Sequence, residues 1–535
     1  MNLWQILSFL GGVGLFLLGM KLMTEGLKVA AGDGLRHVLA FATRSRARGL
    51  ASGAMITGVV QSSSAVIFAT IGFVNAGILG LGQAVGVIYG ANLGTTATTW
   101  LVSVVGLEFS LKAFALPFIG AGMLIRLLAR VSRLRGLGDA VTGFGVFFLG
   151  LDVLTDMFRE TGPMLTPAFT GSGALMLFLH LLAGFLMTVV MQSSSAALAV
   201  ILTAATGGAL ALPGAAAMMI GANLGTTSTA VFAALGATPN ARRVASSHVI
   251  FNVVEAAILF LFFGFLLQLV QWLAASVGMA HSIAVALAFF HTTGKLIGLM
   301  AMWPLTPLMV DWLSRRFRPL PDELARPQYL DETVLATPSL GLRAVEKELN
   351  RALVAAGHLF TDAIAEKRIE RARLEGRQQA LQSLLDIIND AAQSLSSHDL
   401  SSQHSRTLPD VLRTTRYLEE LGERALELDE MARRLPAICP VEEGQEGPTL
   451  SELARAVPSE PLTKSGVSPE FEERYQRIKS ELLWAGASRR MGSRQMSDWL
   501  DYFSVLRRAA KVHGRACQHA ALVASALHEE AEAEH

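Results

Sequence analysis

Gln61-Ser62-Ser63-Ser64-Ala65 recurs as Gln192-Ser193-Ser194-Ser195-Ala196, and Gly90-Ala91-Asn92-Leu93-Gly94-Thr95-Thr96 recurs as Gly221-Ala222-Asn223-Leu224-Gly225-Thr226-Thr227. The offset is 131 residues both times. It also aligns Gly14-Leu15-Phe16-Leu17-Leu18-Gly19 with Gly145-Val146-Phe147-Phe148-Leu149-Gly150, and Thr24-Glu25 with Thr155-Asp156. Matches at one ungapped offset define an internal repeat. Small residues can be repeated for helix packing alone. Here Gln, three Ser, Asn and two Thr recur together in both halves, which points to polar work as well.

The surroundings of the repeat are apolar. Of 535 residues, 51% are hydrophobic and 17% charged, with a mean hydropathy of +0.42. Soluble domains carry about a quarter charged residues. Residues 1–310 hold 15 Lys and Arg against 8 Asp and Glu, whereas 311–535 hold 30 against 36. An apolar, basic first part and a polar, acidic second part imply bilayer and then water. The only cysteines, Cys439 and Cys517, fall in the polar part and read as reduced cytosolic thiols, which excludes a secreted disulfide scaffold. The near-neutral net charge gives no reason to expect nucleic acid. Apolar stretches long enough to span a bilayer lie near 4–27, 83–106, 112–130, 140–158, 213–236, 247–271 and 283–303. Two more, near 50–80 and 175–208, are interrupted by Gln-Ser-Ser-Ser. The first run carries Lys21 and Glu25 and lacks a small-residue cleavage pattern, so it reads as a retained span.

If each Gln-Ser-Ser-Ser stretch is a re-entrant hairpin, one repeat period holds an odd number of crossings, and the two repeats face opposite ways. Cytoplasmic loops are enriched in Lys and Arg. With the N-terminus outside, the inner loops carry Lys28, Arg36, Arg44, Arg46 and Arg48, then Arg133 and Arg135, then Arg242 and Arg243, then Arg315, Arg316 and Arg318. The outer loops carry Glu108, Arg159 and Glu160. This places the polar C-terminal part in the cytosol. Inverted repeats with interrupted helices are the architecture of secondary transporters, with the site between the repeats.

Gln-Ser-Ser-Ser suits a hairpin tip, where hydroxyls and freed N–H groups converge. Helix N-termini aimed at such a point attract anions. Ser, Thr, Gln and Asn also offer neutral oxygens to a hard cation, so an oxyanion and sodium can share the site. No Arg or Lys lies inside either repeated segment, so an anion there calls for a co-bound cation. No nucleotide-binding Gly-x-x-x-x-Gly-Lys-Ser/Thr pattern is present, which argues against ATP drive. No histidine placed near the serines supplies a base, which argues against a hydrolase.

The paired motifs resemble the sodium–phosphate cotransporter family, the bacterial relatives of the animal type II cotransporters, over roughly residues 1–310. The resemblance implies sodium-coupled movement of inorganic phosphate. It also implies that the hairpins carrying Gln61, Ser62, Ser63, Ser64, Gln192, Ser193, Ser194 and Ser195 line the phosphate and sodium sites. Asn92, Thr95, Thr96, Asn223, Thr226 and Thr227 follow as second contributors from broken helices. In that family a His-x-x-x-Asn-like pattern is usual in two later spans. Here His248 and Asn252 keep it, but His291 is followed by Lys295, whose expected role is an ion pair, with Glu255 a candidate partner, or a structural contact; balancing phosphate charge and snorkelling are the alternatives. Glu25 and Asp156 are repeat mates near span ends. They read as interfacial, with a sodium role as the alternative.

Past Trp312, a linker over 311–337 contains Pro319, Pro321 and Pro327. Thr337-Pro338 opens a helix. Amphipathic patterns run from there through 369, then over 370–398, 407–436, 468–490 and 494–530, with a Pro- and Gly-rich loop between Pro436 and Pro469. Leu418-Glu419-Glu420-Leu421-Gly422-Glu423-Arg424-Ala425 resembles the acidic helix of PhoU-like domains. Those domains are two three-helix bundles tied to phosphate regulation, some with metal on acidic faces. Glu419, Glu423 and Glu427 share one helix face, read as a solvated face with metal binding as the alternative. Basic residues in the later stretch from Leu506 to Ala516 argue against a two-fold set of metal sites.

The expected fold is all-α: a polytopic membrane transporter with two inverted repeats containing re-entrant hairpins, followed by a cytosolic helical bundle. Its parts are a transmembrane domain over 1–310, with repeats at about 1–131 and 132–271 and an extra span at 283–303, the linker, and a PhoU-like domain over 338–535. The expected function is sodium-coupled phosphate transport across the cytoplasmic membrane. The partners are phosphate, sodium, the lipid bilayer and, as an open option, further copies of the chain in a homo-oligomer. Two alternatives stand: outward phosphate movement by the same fold, and a membrane-anchored regulator without transport.

Overall fold

The computed structural model describes residues 3–31, 45–108, 112–169, 173–235, 237–317, 324–335, 337–365, 369–397, 402–435 and 469–533. Arg36, Arg44, Arg318, Pro319, Pro321, Cys439 and the expected loop over 436–468 lie outside them. Among the described residues the ordered elements are all helical. The chain divides into two compact units, Met1–Arg318 and Pro319–His535.

In the first unit α1 spans Leu3–Ala31, α2 Arg46–Val60, α3 Ser63–Asn75, α4 Leu81–Gly94 and α5 Thr96–Trp100. A π-helical stretch, Leu101–Glu108, precedes α6, Lys112–Leu128, and α7, Ser132–Phe169. Then follow α8 Ala174–Met191, α9 Ser194–Thr206, α10 Leu212–Gly225, α11 Thr227–Ala234, α12 Pro239–Leu261, α13 Phe263–Ser276 and α14 Ile283–Arg316. Five stretches, 7–31, 132–161, 174–191, 239–261 and 283–316, are long and apolar enough to cross a membrane, and shorter apolar helices accompany them. The protein is a polytopic membrane protein.

Several expected spans are corrected. The stretches 83–106 and 213–236 are each interrupted, at Thr95 and Thr226. The stretch 247–271 is two helices that meet at Phe262, and the span expected over 283–303 runs on to Arg316. The first arm of the second hairpin, α8, is 18 residues long, about 27 Å, against 15 residues for its mate α2.

The repeat recurs contact by contact. A Cβ on Gly90 would lie 2.0 Å from the Leu50 carbonyl oxygen, and one on Gly221 would lie 1.8 Å from that of Leu181, the residue 131 further on. Gly94 sits against Ala54 and Thr57, Gly225 against Phe185 and Thr188. Gly53 meets Val87, and Gly184 meets Met218. The glycines of Gly-Ala-Asn-Leu-Gly thus seat α4 on α2 and α10 on α8 at backbone contact, as small residues four apart do in membranes.

Helices α1 and α7 are themselves repeat mates, packed antiparallel. Gly12 faces Val153 and Leu154, Gly19 faces Gly143 and Phe147, and Gly26 faces Gly136 and Ala140. These contacts come in exchanged pairs: Gly12 with Val153 is matched by Gly143 with Leu22, as a two-fold axis across the pair requires. Phe16 and Phe147, mates of one another, meet on that axis with ring centroids 4.9 Å apart, tilted by 40°, and no solvent exposure. Helix α9 is buried from Ser194 through Ala205, so the second arm of the second hairpin runs through the middle of the unit, whereas its first arm, α8, keeps an exposed apolar face.

In the second unit, α15 (Glu332–Leu335) leads into five long helices: α16 Pro338–Ile364, α17 Arg371–Ser396, α18 Ser402–Arg434, α19 Pro469–Ala487 and α20 Ser493–Ala533. Apolar stripes such as Leu381, Leu384, Leu385, Ile388 and Leu395 on α17 form its core. The buried Glu348 on α16 accepts hydrogen bonds from the Gln328 and Tyr329 N–H groups and pairs with Arg351 at 2.7 Å. Arg351 also donates to the Leu324 and Arg326 carbonyls, which fastens the incoming segment to the helix.

Gly221→Ala is expected to lower the melting temperature of the detergent-solubilised protein, because overpacking costs about 1–3 kcal/mol. Gly82→Ala, whose Cβ meets nothing within 4 Å, should leave it unchanged. Equal melting of the two variants would contradict the packing described here.

Candidate functional site

Each Gln-Ser-Ser-Ser segment folds into the same device. Val60 ends α2 and Gln61 follows in the left-handed region at φ 59°; Met191 ends α8 and Gln192 follows at φ 53°. Ser62 and Ser193 then cap the next helices, their hydroxyls accepting at 3.3 Å from the Ala65 and Ala196 N–H groups. The chain thus reverses in two residues. The first N–H groups of α3 and α9, which have no acceptor within their own helix, are left at the tips.

The two tips converge. Gln61, Ser62, Ser63, Ser64, Gln192, Ser193, Ser194 and Ser195 all line one cavity of about 230 Å³. Its remaining wall is α1, through Leu17, Met20, Lys21, Thr24, Glu25 and Lys28. Lys21 lies 3.9 Å from Glu25. Two ammonium groups and one carboxylate give this wall one net positive charge, on top of two helix N-termini. A cavity of that size and polarity fits a small oxyanion, with Gln and Ser oxygens left for a cation.

The other expected residues lie elsewhere. Asn92, Thr95, Thr96, Asn223, Thr226 and Thr227 are not in the cavity lining. The Asn92 amide donates to the Ile88 carbonyl at 2.9 Å. Thr95 and Thr226 hydroxyls donate to the Asn92 and Asn223 carbonyls, and Thr96 and Thr227 to those of Leu93 and Leu224. These hydroxyls satisfy their own interrupted helices. One link to the site comes from a nearby threonine in the first half alone: the Thr98 hydroxyl donates to the Gln61 side-chain oxygen. Its mate Thr229 donates to the Thr226 carbonyl instead, so the two tips are held differently.

Sequence reasoning missed Lys21 and Lys28 as cavity residues and set Glu25 at the interface. The signal was their spacing, which puts all three on one face of α1. The mate Asp156 is half-exposed, 3.8 Å from Arg159, and not in the cavity lining. On α18, Glu419 accepts from Gln382 and Arg416, and Glu427 pairs with Arg424 at 2.6 Å. Among the described residues no group of three or more His, Cys, Asp or Glu is arranged to hold a metal ion. Glu419 and Glu427 are thus ion-paired on this helix face.

The Na+/Pi-cotransporter family model matches residues 15–156 and 174–297. "Uncharacterized protein YqeW" of Bacillus subtilis is 30% identical over 312 residues, 57% of this chain and 95% of that protein. "Putative inorganic phosphate export protein YjbB" of Escherichia coli K12 is 27% identical over 357 residues, and that of Salmonella typhimurium 27% over 356. These matches take in 65% of this chain and 62% of those relatives. No solved structure matches the chain. A helical membrane unit with paired polar hairpins is the frame of a transporter, not an enzyme. The chain belongs to the Na+/Pi-cotransporter family.

Gln61→Gly is expected to keep the hairpin, because glycine adopts positive φ without strain. Gln61→Val should destabilise it by about 1–2 kcal/mol. Thermal melting of the two purified variants checks the order, and a valine variant as stable as the glycine variant would refute the left-handed cap.

Proposed function

We propose that the chain moves inorganic phosphate across the cytoplasmic membrane by sodium-coupled secondary transport, with phosphate bound between the two hairpin tips. The observation that carries this reading is the meeting of both Gln-Ser-Ser-Ser segments, from opposite halves of the repeat, in one cavity at two helix N-termini. Hydroxyls and N–H groups there meet phosphate oxygens, and Lys21 and Lys28 on α1 offset its charge. The neutral side-chain oxygens are left for sodium, which brings the loaded site closer to neutrality before it crosses. Antiparallel packing of the mates α1 and α7 supports an inverted repeat, in which the opposite-facing state would open onto the mates of the α1 wall, Asp152, Thr155, Asp156 and Arg159. The second unit, read as cytosolic and PhoU-like, is assigned regulation of that cycle.

One observation favours a second reading, outward movement: the relatives from Escherichia coli and Salmonella carry phosphate export in their printed names. Both directions use the same site, and gradients select between them.

Uptake of labelled phosphate into proteoliposomes should require an inward sodium gradient and fail with potassium. Ser63→Ala and Ser194→Ala should each abolish sodium-dependent phosphate binding, measured by equilibrium dialysis. Unaltered binding in both would refute the site. Lys28→Gln should weaken phosphate binding several-fold and Glu25→Gln should strengthen it, since the changes in cavity charge have opposite sign.

A further inference from the structure

Apart from the cavity, the first unit buries a second polar cluster. The Lys295 ammonium on α14 lies 2.8 Å from Glu255 Oε2 and 3.2 Å from Asn252 Oδ1, both on α12. Lys295 is 2% exposed and Glu255 1%. Glycine makes this approach possible, since a Cβ on Gly298 would lie 3.1 Å from the Glu255 Cβ. The other carboxylate oxygen, Glu255 Oε1, has no hydrogen-bond partner and lies 3.6 Å from where a Gly294 Cβ would sit. The buried His248 and His291 lie within electrostatic reach of the ammonium. Neither ring nitrogen of His248 has a partner, nor has Nε2 of His291.

This is more acceptor capacity than one ammonium uses. Buried polar atoms are nearly always satisfied, so an unsatisfied set around a charge is the lining of a site rather than a packed core. Oxygen donors including one carboxylate are the ligand type of a hard cation. We propose that the Lys295 ammonium is a tethered cation occupying a buried monovalent-cation site formed by Glu255 and Asn252, with His248 and His291 beside it, and that removing it lets sodium take its place.

The cluster is joined to the hairpin tip. The Thr99 hydroxyl and His291 Nδ1 are hydrogen-bonded at 2.6 Å, Trp100 Nε1 donates to Thr292 at 2.9 Å, and the adjacent Thr98 holds Gln61. Three consecutive residues of α5 thus connect α14 to the cavity, just before the π-helical stretch, a distortion that recurs at functional sites. In a sodium-coupled cycle a tethered cation stays with the protein. The chain then moves one sodium ion fewer per phosphate than it would with that site open, a consequence that rests on the proposed coupling, whereas the site itself does not.

The test omits phosphate, so it stands apart from any failure of the transport reading. Thermal unfolding of the purified full chain is followed by tryptophan fluorescence in sodium chloride against choline chloride at equal ionic strength. Lys295→Ala should melt below wild type in choline and gain a saturable, sodium-dependent rise of several degrees beyond any wild-type response. The double variant Glu255→Gln with Lys295→Ala should lack that gain. If Lys295→Ala does not fold, Lys295→Asn, which restores an amide of the Asn252 kind, is read the same way. A sodium response equal to wild type, or one that persists in the double variant, overturns the proposal.

Discussion

A helix interrupted inside an apolar medium frees backbone N–H and C=O groups that no lipid can satisfy, and they must be met from within the protein. The first unit is organised around that requirement. The two Gln-Ser breaks turn the chain in two residues each, and the helices they begin, α3 and α9, are almost wholly enclosed. The interruptions at Thr95 and Thr226 are met by threonine hydroxyls that turn back on the preceding carbonyls. At the hairpin tips the polar groups face a cavity instead. The candidate site thus lies where two of these breaks meet.

Two kinds of residue share each repeated motif and do different work. The glycines of Gly-Ala-Asn-Leu-Gly bring helices to backbone contact. The packing explanation for the repeat is therefore correct for those positions, and it does not exhaust the motif, because the Gln and Ser positions meet in the cavity. The halves also differ at the site: Gln61 is held by Thr98 and Gln192 is not, and the cavity has α1 rather than α7 as its wall.

Much of this was legible in the sequence. The 131-residue offset reappears as matched contacts, and the amphipathic patterns of the second unit correspond to α16 through α20. Other features left no mark on composition or period. The break at Phe262 falls inside an unbroken apolar run, so hydropathy reads it as one span. The π-helical stretch after Trp100 lies in an apolar run that reads as ordinary helix. Lys21, Glu25 and Lys28 share a helix face, but spacing does not say whether that face meets lipid, water or a cavity. Thr95 and its mate are hydroxyl donors in any reading, and only their backbone context shows that they serve their own helix. Lys295 was the reverse case: its depth in a span left few choices, and it is paired with Glu255.

The ring pair of Phe16 and Phe147 sets a limit on how the halves can diverge. Contacts away from the axis, such as Gly12 with Val153, have a counterpart such as Gly143 with Leu22, so a substitution in one half leaves an intact copy in the other. A residue on the axis meets its own duplicate, and that contact occurs once. Drift is therefore buffered along the length of the helix pair and unbuffered at its centre, where a change in either ring alters the only copy.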